Sequence, residues 1–218
     1  MEPSSSQWSV WPRLHASGAL SAAELARFEL EGFLVFDNLF EPAAIRAASR
    51  AVHAFVGADR ANRSSWYDNT ADIYSEGSVL PRPHHGPCGM AQLYHHRALW
   101  ALRQSPRLHA IFAALYGTSA LYVTADRAHF RPPVDAAYPA WSDPGDVHSG
   151  LHWDVNTSRA AWPVPYALQG LVYLEDTPPE QGALRLVPGF HHRLGAWDAA
   201  QPANRSGERL EVTAAAAL

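Results

Sequence analysis

Near Ala120 the spacing of apolar residues changes from about 3.6 to about 2, and no other feature restricts the fold of this chain as strongly. Before that point helical signals follow one another. Ser21-Ala-Ala-Glu24 fits a capping box, Leu25, Phe28 and Glu29 continue at helical spacing, and Gly32 is placed to end the helix. Phe33-Leu-Val-Phe36 reads as a short strand closed by the turn residues Asp37-Asn38. Pro42 suits the first position of a second helix whose apolar face is Ile45, Ala48, Val52 and Phe55. Residues 91–104 read as helical, and Pro106 opens another helix with Leu108, Ile111, Phe112 and Leu115 on one side and Gly117 at its end. Beyond Ala120, residues 121–131 form a long strand candidate stopped by Pro132-Pro133. Further strands are expected at 151–155, 167–174, 183–187 and 210–213. Helices first and strands afterwards predict an α+β protein with a mainly β, antiparallel core.

Residues 1–18 lack periodicity and are expected to be a loosely ordered N-terminal arm, with 19–218 forming a single domain. Two irregular stretches, 57–90 and 134–150, are long enough to serve function, and their aromatics Trp66, Tyr67, Tyr138 and Trp141 are candidate pocket contacts, although such aromatics are at least as often packing residues. The formal charge of −4 leaves no basic stripe, which argues against nucleic acid as a partner. No run approaches the roughly 18 apolar residues that a membrane span needs. The polar, Ser-rich start has neither a positive n-region nor an apolar h-region, so a cytoplasmic protein is expected. The lone Cys88 permits no internal disulfide and no thiolate cluster. All 17 basic residues are arginine. Schiff-base chemistry, pyridoxal phosphate enzymes and Walker-type loops, which need lysine, are thereby excluded.

The sharpest chemical candidate is His152-Trp153-Asp154. On a strand, residues i and i+2 share a face, so this imidazole and carboxylate can grip one ion together. With a second His from elsewhere they would form the facial triad of non-haem Fe(II) oxygenases, which leaves coordination positions open. Spacing alone does not single the triplet out. Among 12 His and 11 Asp in 218 residues, one His-x-Asp is about what chance supplies.

Context is more specific. Residues 167–177, Ala-Leu-Gln-Gly-Leu-Val-Tyr-Leu-Glu-Asp-Thr, are followed by residues 180–191, Glu-Gln-Gly-Ala-Leu-Arg-Leu-Val-Pro-Gly-Phe-His. Together they resemble the central segment of the phytanoyl-CoA dioxygenase family: a strand, an acidic turn, a Gly-Ala-Leu-Arg-x-Val-Pro-Gly-x-His stretch, and a His-x-Asp upstream. Residues 20–24, 31–36, 38–40 and 126–133 extend the resemblance, which runs from about residue 20 to about residue 213.

That resemblance implies a double-stranded β-helix, or cupin-like jelly roll, with the N-terminal helices packed on one sheet. It also implies an Fe(II)- and 2-oxoglutarate-dependent dioxygenase that hydroxylates a small organic or acyl substrate with O2, giving succinate and CO2 as co-products. Carried over residue by residue, His152 and Asp154 are the iron ligands and catalytic centre. His129 and Gln169 are expected contacts of 2-oxoglutarate, although each reads equally well as a hydrogen-bonded core polar residue. Trp153 should pack away from the metal, and His191 should shape the pocket rim rather than bind iron. The adjacent pairs His84-His85 and His95-His96 are expected to be ordinary loop and helix-end histidines.

The sequence departs from the family at its end. Family members continue past a strand like Leu210-Glu-Val-Thr213 with a distal His and then an Arg, whereas this chain stops at Leu218 with neither. The expectation is a C-terminally truncated domain, lacking its last core strands and impaired in activity; an artefactual and a biological short form fit equally well. Two other readings stand beside the oxygenase: a non-catalytic jelly-roll binding protein derived from the same family, and a cupin-like Zn(II) hydrolase, which would need three compact ligands. Substrate and oligomeric state are not legible in the residues.

Overall fold

Ser21 starts the first helix by satisfying two backbone donors reciprocally. Its hydroxyl accepts from Glu24 N at 3.2 Å, and the Glu24 carboxylate accepts from Ser21 N at 2.7 Å. The computed structural model describes residues 18–67, 89–91, 93–133, 135–139, 168–179 and 183–201. Residues 1–17 of the N-terminal arm expected at 1–18 lie outside them, as do the strands expected at 151–155 and 210–213.

Helix α1 spans Ala22–Glu31 and ends at Gly32, which takes a left-handed φ of 82° and returns its N–H to the Phe28 carbonyl. Helix α2, Pro42–Val56, carries Pro at its first turn and buries Ala48, Ser49, Val52 and Val56. A 3-10 turn follows at Arg63–Tyr67. Helix α3 covers Arg97–Arg103, and α4 covers Pro106–Tyr116, capped by the Ser105 side chain on Leu108 N and closed by Gly117. A last helix, α5 at Leu194–Ala199, follows a 3-10 turn at Phe190–His192. No expectation covered it. Its Trp197 is buried and meets Phe190 edge-on at 5.9 Å.

The helix expected at 91–104 is shorter than its pattern suggested. His96 caps it from outside by accepting from Ala98 N at 3.2 Å, and Ala91, at the expected start, pairs elsewhere. Strand β1, Met90–Ala91, runs antiparallel to β2, Ala128–His129, with Met90 opposite His129 and Ala91 opposite Ala128. Tertiary pairing thus overrides local helical preference. Of the long strand expected at 121–131, only 128–129 finds a ladder partner among the described residues, and 33–36, 168–174 and 183–187 find none there. The described residues therefore display the helical layer and one two-stranded sheet, not the two facing sheets of a jelly roll.

Two apolar clusters hold this layer together. One gathers Ala48, Val52 and Val56 of α2, Leu99 and Leu102 of α3, Ala91 and Ala128, with Phe130, Val172 and Leu174 packed against it. The other joins Leu25 and Phe28 of α1 to Ile111, Ala114 and Leu115 of α4, with Leu168 at its edge. Period 2 is visible even where the described residues show no ladder. Leu168, Val172 and Leu174 lean on the helices, while Gln169, Leu171 and Tyr173 are exposed on the other side. Across β2 the same parity sends Ala128 and Phe130 to the helices and leaves His129 exposed.

The C-cap of α1 is also a contact point for a distant segment. A Cβ on Gly32 would stand 2.6 Å from His191 Nδ1. Gly32→Ala therefore combines a left-handed backbone penalty with a steric conflict, and should cost about 1–2 kcal/mol or more. Urea unfolding is the measure; a midpoint equal to that of the unsubstituted chain would show that neither constraint operates.

Candidate functional site

The two residues expected to hold iron, His152 and Asp154, lie outside the described residues, together with Trp153. Among the described residues no group of three His, Cys, Asp or Glu side chains could hold a metal ion. The two residues expected to meet 2-oxoglutarate, His129 and Gln169, lie among the described residues.

His129 stands on β2 opposite Met90. Gly89 lets the two strands approach: a Cβ there would come within 2.8 Å of the Phe130 carbonyl and 3.1 Å of His129 Cε1. Phe130 N donates to the Gly89 carbonyl at 2.7 Å, which continues the pairing past the strand end. Gln169 lies between Leu168, whose N–H donates to the Tyr116 hydroxyl at 2.9 Å, and Gly170, which sits against the Phe112 ring. Both candidate residues are exposed and have the parity that points away from the helices. Leu171 and Tyr173, at 58% and 46% exposure, share that side with Gln169. The Tyr173 hydroxyl accepts from Leu184 N at 2.8 Å and so ties in the next extended segment.

The far end of the 168–179 segment is held by charge. Ser49, 2% exposed on α2, donates to the Glu175 carboxylate and accepts from the Arg60 guanidinium, which also pairs with Glu175. Sequence reasoning missed this cluster; the signal available was a serine on an otherwise apolar helix face. The Arg60–Glu175 pair is half exposed, so its own contribution is small, and the value of the cluster is to fix Glu175 over a buried hydroxyl.

The aromatics expected at the pocket mouth have other partners. Tyr67 is buried, stacks on Tyr138 at 4.0 Å and 3°, and donates its hydroxyl to the Pro133 carbonyl at 2.7 Å. Trp66 donates its indole N–H to the Asp59 carbonyl and packs on the α2–α3 cluster. Arg63 and Asp135 add an ion pair at 3.0 Å across the same junction. These contacts are structural. Trp141 and the pair His84-His85 lie outside the described residues. His96 is the cap of α3 and His95 stacks on Trp100 at 5.9 Å.

The Pro-Gly-x-His turn docks on the C-terminal end of α1. Gly189 N donates to the Glu31 carbonyl at 2.8 Å, and the His191 and His192 side chains both reach the Glu29 carbonyl, at 2.9 and 2.8 Å. An open cavity of about 510 Å³ lies here, lined by Leu30, Glu31, Val187, Phe190 and Arg193 among others. Burial holds the His191 imidazole below the ordinary histidine value of 6.5; the Glu29 carbonyl opposes this shift and the neighbouring His192 adds to it. His53 is lowered as well, by burial first, with the Ala58 carbonyl opposing and Arg60 reinforcing.

A histidine held below its ordinary value binds its proton less readily in the folded chain than in the unfolded one. As pH falls below about 6.5 the unfolded state takes up more protons, and stability drops. The urea midpoint should accordingly fall between about pH 7 and pH 5.5, with a shallower slope in His191→Gln. Parallel slopes in the two proteins would contradict a role for His191.

The family model described as Phytanoyl-CoA dioxygenase (PhyH) matches residues 28–214 of the chain. No curated protein and no solved structure matches it. Among the described residues, no helix is long and apolar enough to cross a membrane.

Proposed function

This chain belongs to the phytanoyl-CoA dioxygenase family, and from that membership we propose that it is an Fe(II)- and 2-oxoglutarate-dependent oxygenase that hydroxylates a small organic or acyl substrate with O2. The observation that carries the reading is a match spanning 28–214, which includes the His-x-Asp pair, both candidate 2-oxoglutarate contacts and the Pro-Gly-x-His turn. Its support from the fold is the shared parity of His129 and Gln169 on the side turned from the helices. In the proposed architecture, the helical layer backs one sheet of a cupin-like jelly roll, and that opposite side is the interior of the β core.

The residues suit the group they would hold. A neutral imidazole and a carboxylate two positions apart, His152 and Asp154, are a donor set appropriate to Fe(II). The imidazole of His129 and the amide of Gln169 can each donate to a carboxylate or keto oxygen. When bound, Fe(II) and 2-oxoglutarate supply the oxidising chemistry, with succinate and CO2 as co-products. Asp154 brings negative charge to the cation, and His152 must be deprotonated to bind, so binding should weaken in acid. His129 and Gln169 orient the co-substrate. Inside the proposed β core, Leu171 and Tyr173, of the same parity as Gln169 and exposed among the described residues, would flank the co-substrate and help to exclude water.

Succinate release from 2-oxoglutarate, measured with Fe(II), ascorbate and O2, tests this directly. His152→Ala and Asp154→Ala should each lower it by at least about 100-fold, since even outer partners of metal ligands cost 10–100-fold. Succinate formation that survives both substitutions would refute the assignment.

A further inference from the structure

Gln169 is flanked by two contacts to one face of α4. On one side, Leu168 N–H donates to the Tyr116 hydroxyl at 2.9 Å. On the other, a Cβ on Gly170 would stand 3.1 Å from Phe112 Cζ, so a residue without a side chain lets the backbone lie close to that ring. Phe112 and Tyr116 are one helical turn apart, with ring centroids at 6.4 Å and planes within 19°. The Leu168 side chain is set into the α1–α4 cluster just beside them. With residues 168 and 170 both turned to α4, residue 169 must project the other way.

Resting on the reading of Gln169 as a 2-oxoglutarate contact, we propose that Tyr116, together with Phe112, is a positioning residue for Gln169. The hydroxyl fixes the backbone at residue 168, the Phe112 ring sets its depth at residue 170, and the two together determine where the Gln169 amide stands. Tyr116 acts only through the backbone and touches no ligand. The opposite end of the segment is anchored separately, through Glu175 to Ser49 and Arg60. Loss of the Tyr116 hydroxyl therefore leaves the segment attached while its first residues are free to shift. The backbone N–H of residue 168 then has to find water or a less well-placed acceptor. This is a change in geometry at the co-substrate rather than in the fold.

A double-mutant cycle on 2-oxoglutarate affinity, read by isothermal titration of the full chain loaded with Mn(II), separates the possibilities. Tyr116→Phe and Gln169→Ala should each weaken 2-oxoglutarate about fivefold, the size expected for one lost or misplaced hydrogen bond. The double variant should be no weaker than Gln169→Ala within about twofold, because Tyr116 works through Gln169. Tyr116→Phe should keep its thermal midpoint within a few degrees and its Mn(II) affinity unchanged. Additive losses of about 25-fold in the double variant, or wild-type affinity in Tyr116→Phe, would overturn the positioning role while leaving the reading of Gln169 intact. Wild-type affinity in Gln169→Ala, or no 2-oxoglutarate binding by the unsubstituted chain, would overturn that reading and the inference with it.

Discussion

An extended segment laid on a helical layer can give the layer only every second side chain, and this rule organises everything described here. Leu168, Val172 and Leu174 are committed to the helices, as are Ala128 and Phe130. Gln169 and His129 are thereby committed to the opposite side. The constraint is stiff because a slip of one residue would exchange all of them at once, exposing the apolar set and pressing a glutamine amide or an imidazole against an apolar cluster. Each partly buried Val or Leu contributes on the order of 1 kcal/mol, so the preference is collective rather than the property of any one contact.

Polar groups then fix position along the direction that hydrophobic packing leaves loose. Three long-range ties do this: Leu168 N–H on the Tyr116 hydroxyl, Glu175 over Ser49 and Arg60, and the 189–192 turn on the last carbonyls of α1. The first and third use backbone groups of an extended segment and of a helix end, and the second satisfies the buried Ser49 hydroxyl. The turn is the most crowded of the three. Gly32 and Gly189 both take left-handed φ, and His191 fills the space where a Gly32 side chain would be. A sequence read as the rim of a pocket is thus also the clasp between the first helix and the last described segment.

Local signals were legible in the sequence because their physics is local. The capping box at Ser21, Pro42 and Pro106 at helix starts, and Gly32 and Gly117 at helix ends all act within one turn, and all stand where the residues indicated. Non-local choices were not legible. Nothing near Ala91 announces that it pairs with Ala128, so a helix was expected there, and the Phe190–Trp197 contact that seats α5 links residues a periodicity scan does not connect. Trp66 and Tyr67 illustrate the same limit: aromatic residues in a Gly- and Pro-rich stretch fit a pocket contact or packing equally well, and only the folded chain shows their partners Asp59, Pro133 and Tyr138. For the two expected 2-oxoglutarate contacts, period 2 indicates only that His129 and Gln169 lie on the side turned from the helices, whereas Phe112 and Tyr116, which meet the backbone on either side of Gln169, carried no signal beyond their helical spacing.

The central claim is that the side turned from the helices belongs to a metal and 2-oxo acid site centred on His152 and Asp154. Mn(II), which accepts the same imidazole and carboxylate donors, reports on it without turnover. Anaerobic electron paramagnetic resonance of the chain with Mn(II) should show one bound ion whose spectrum changes on addition of 2-oxoglutarate, with both signals lost in Asp154→Ala. An Asp154→Ala protein that still binds the ion and still responds to 2-oxoglutarate would contradict the account.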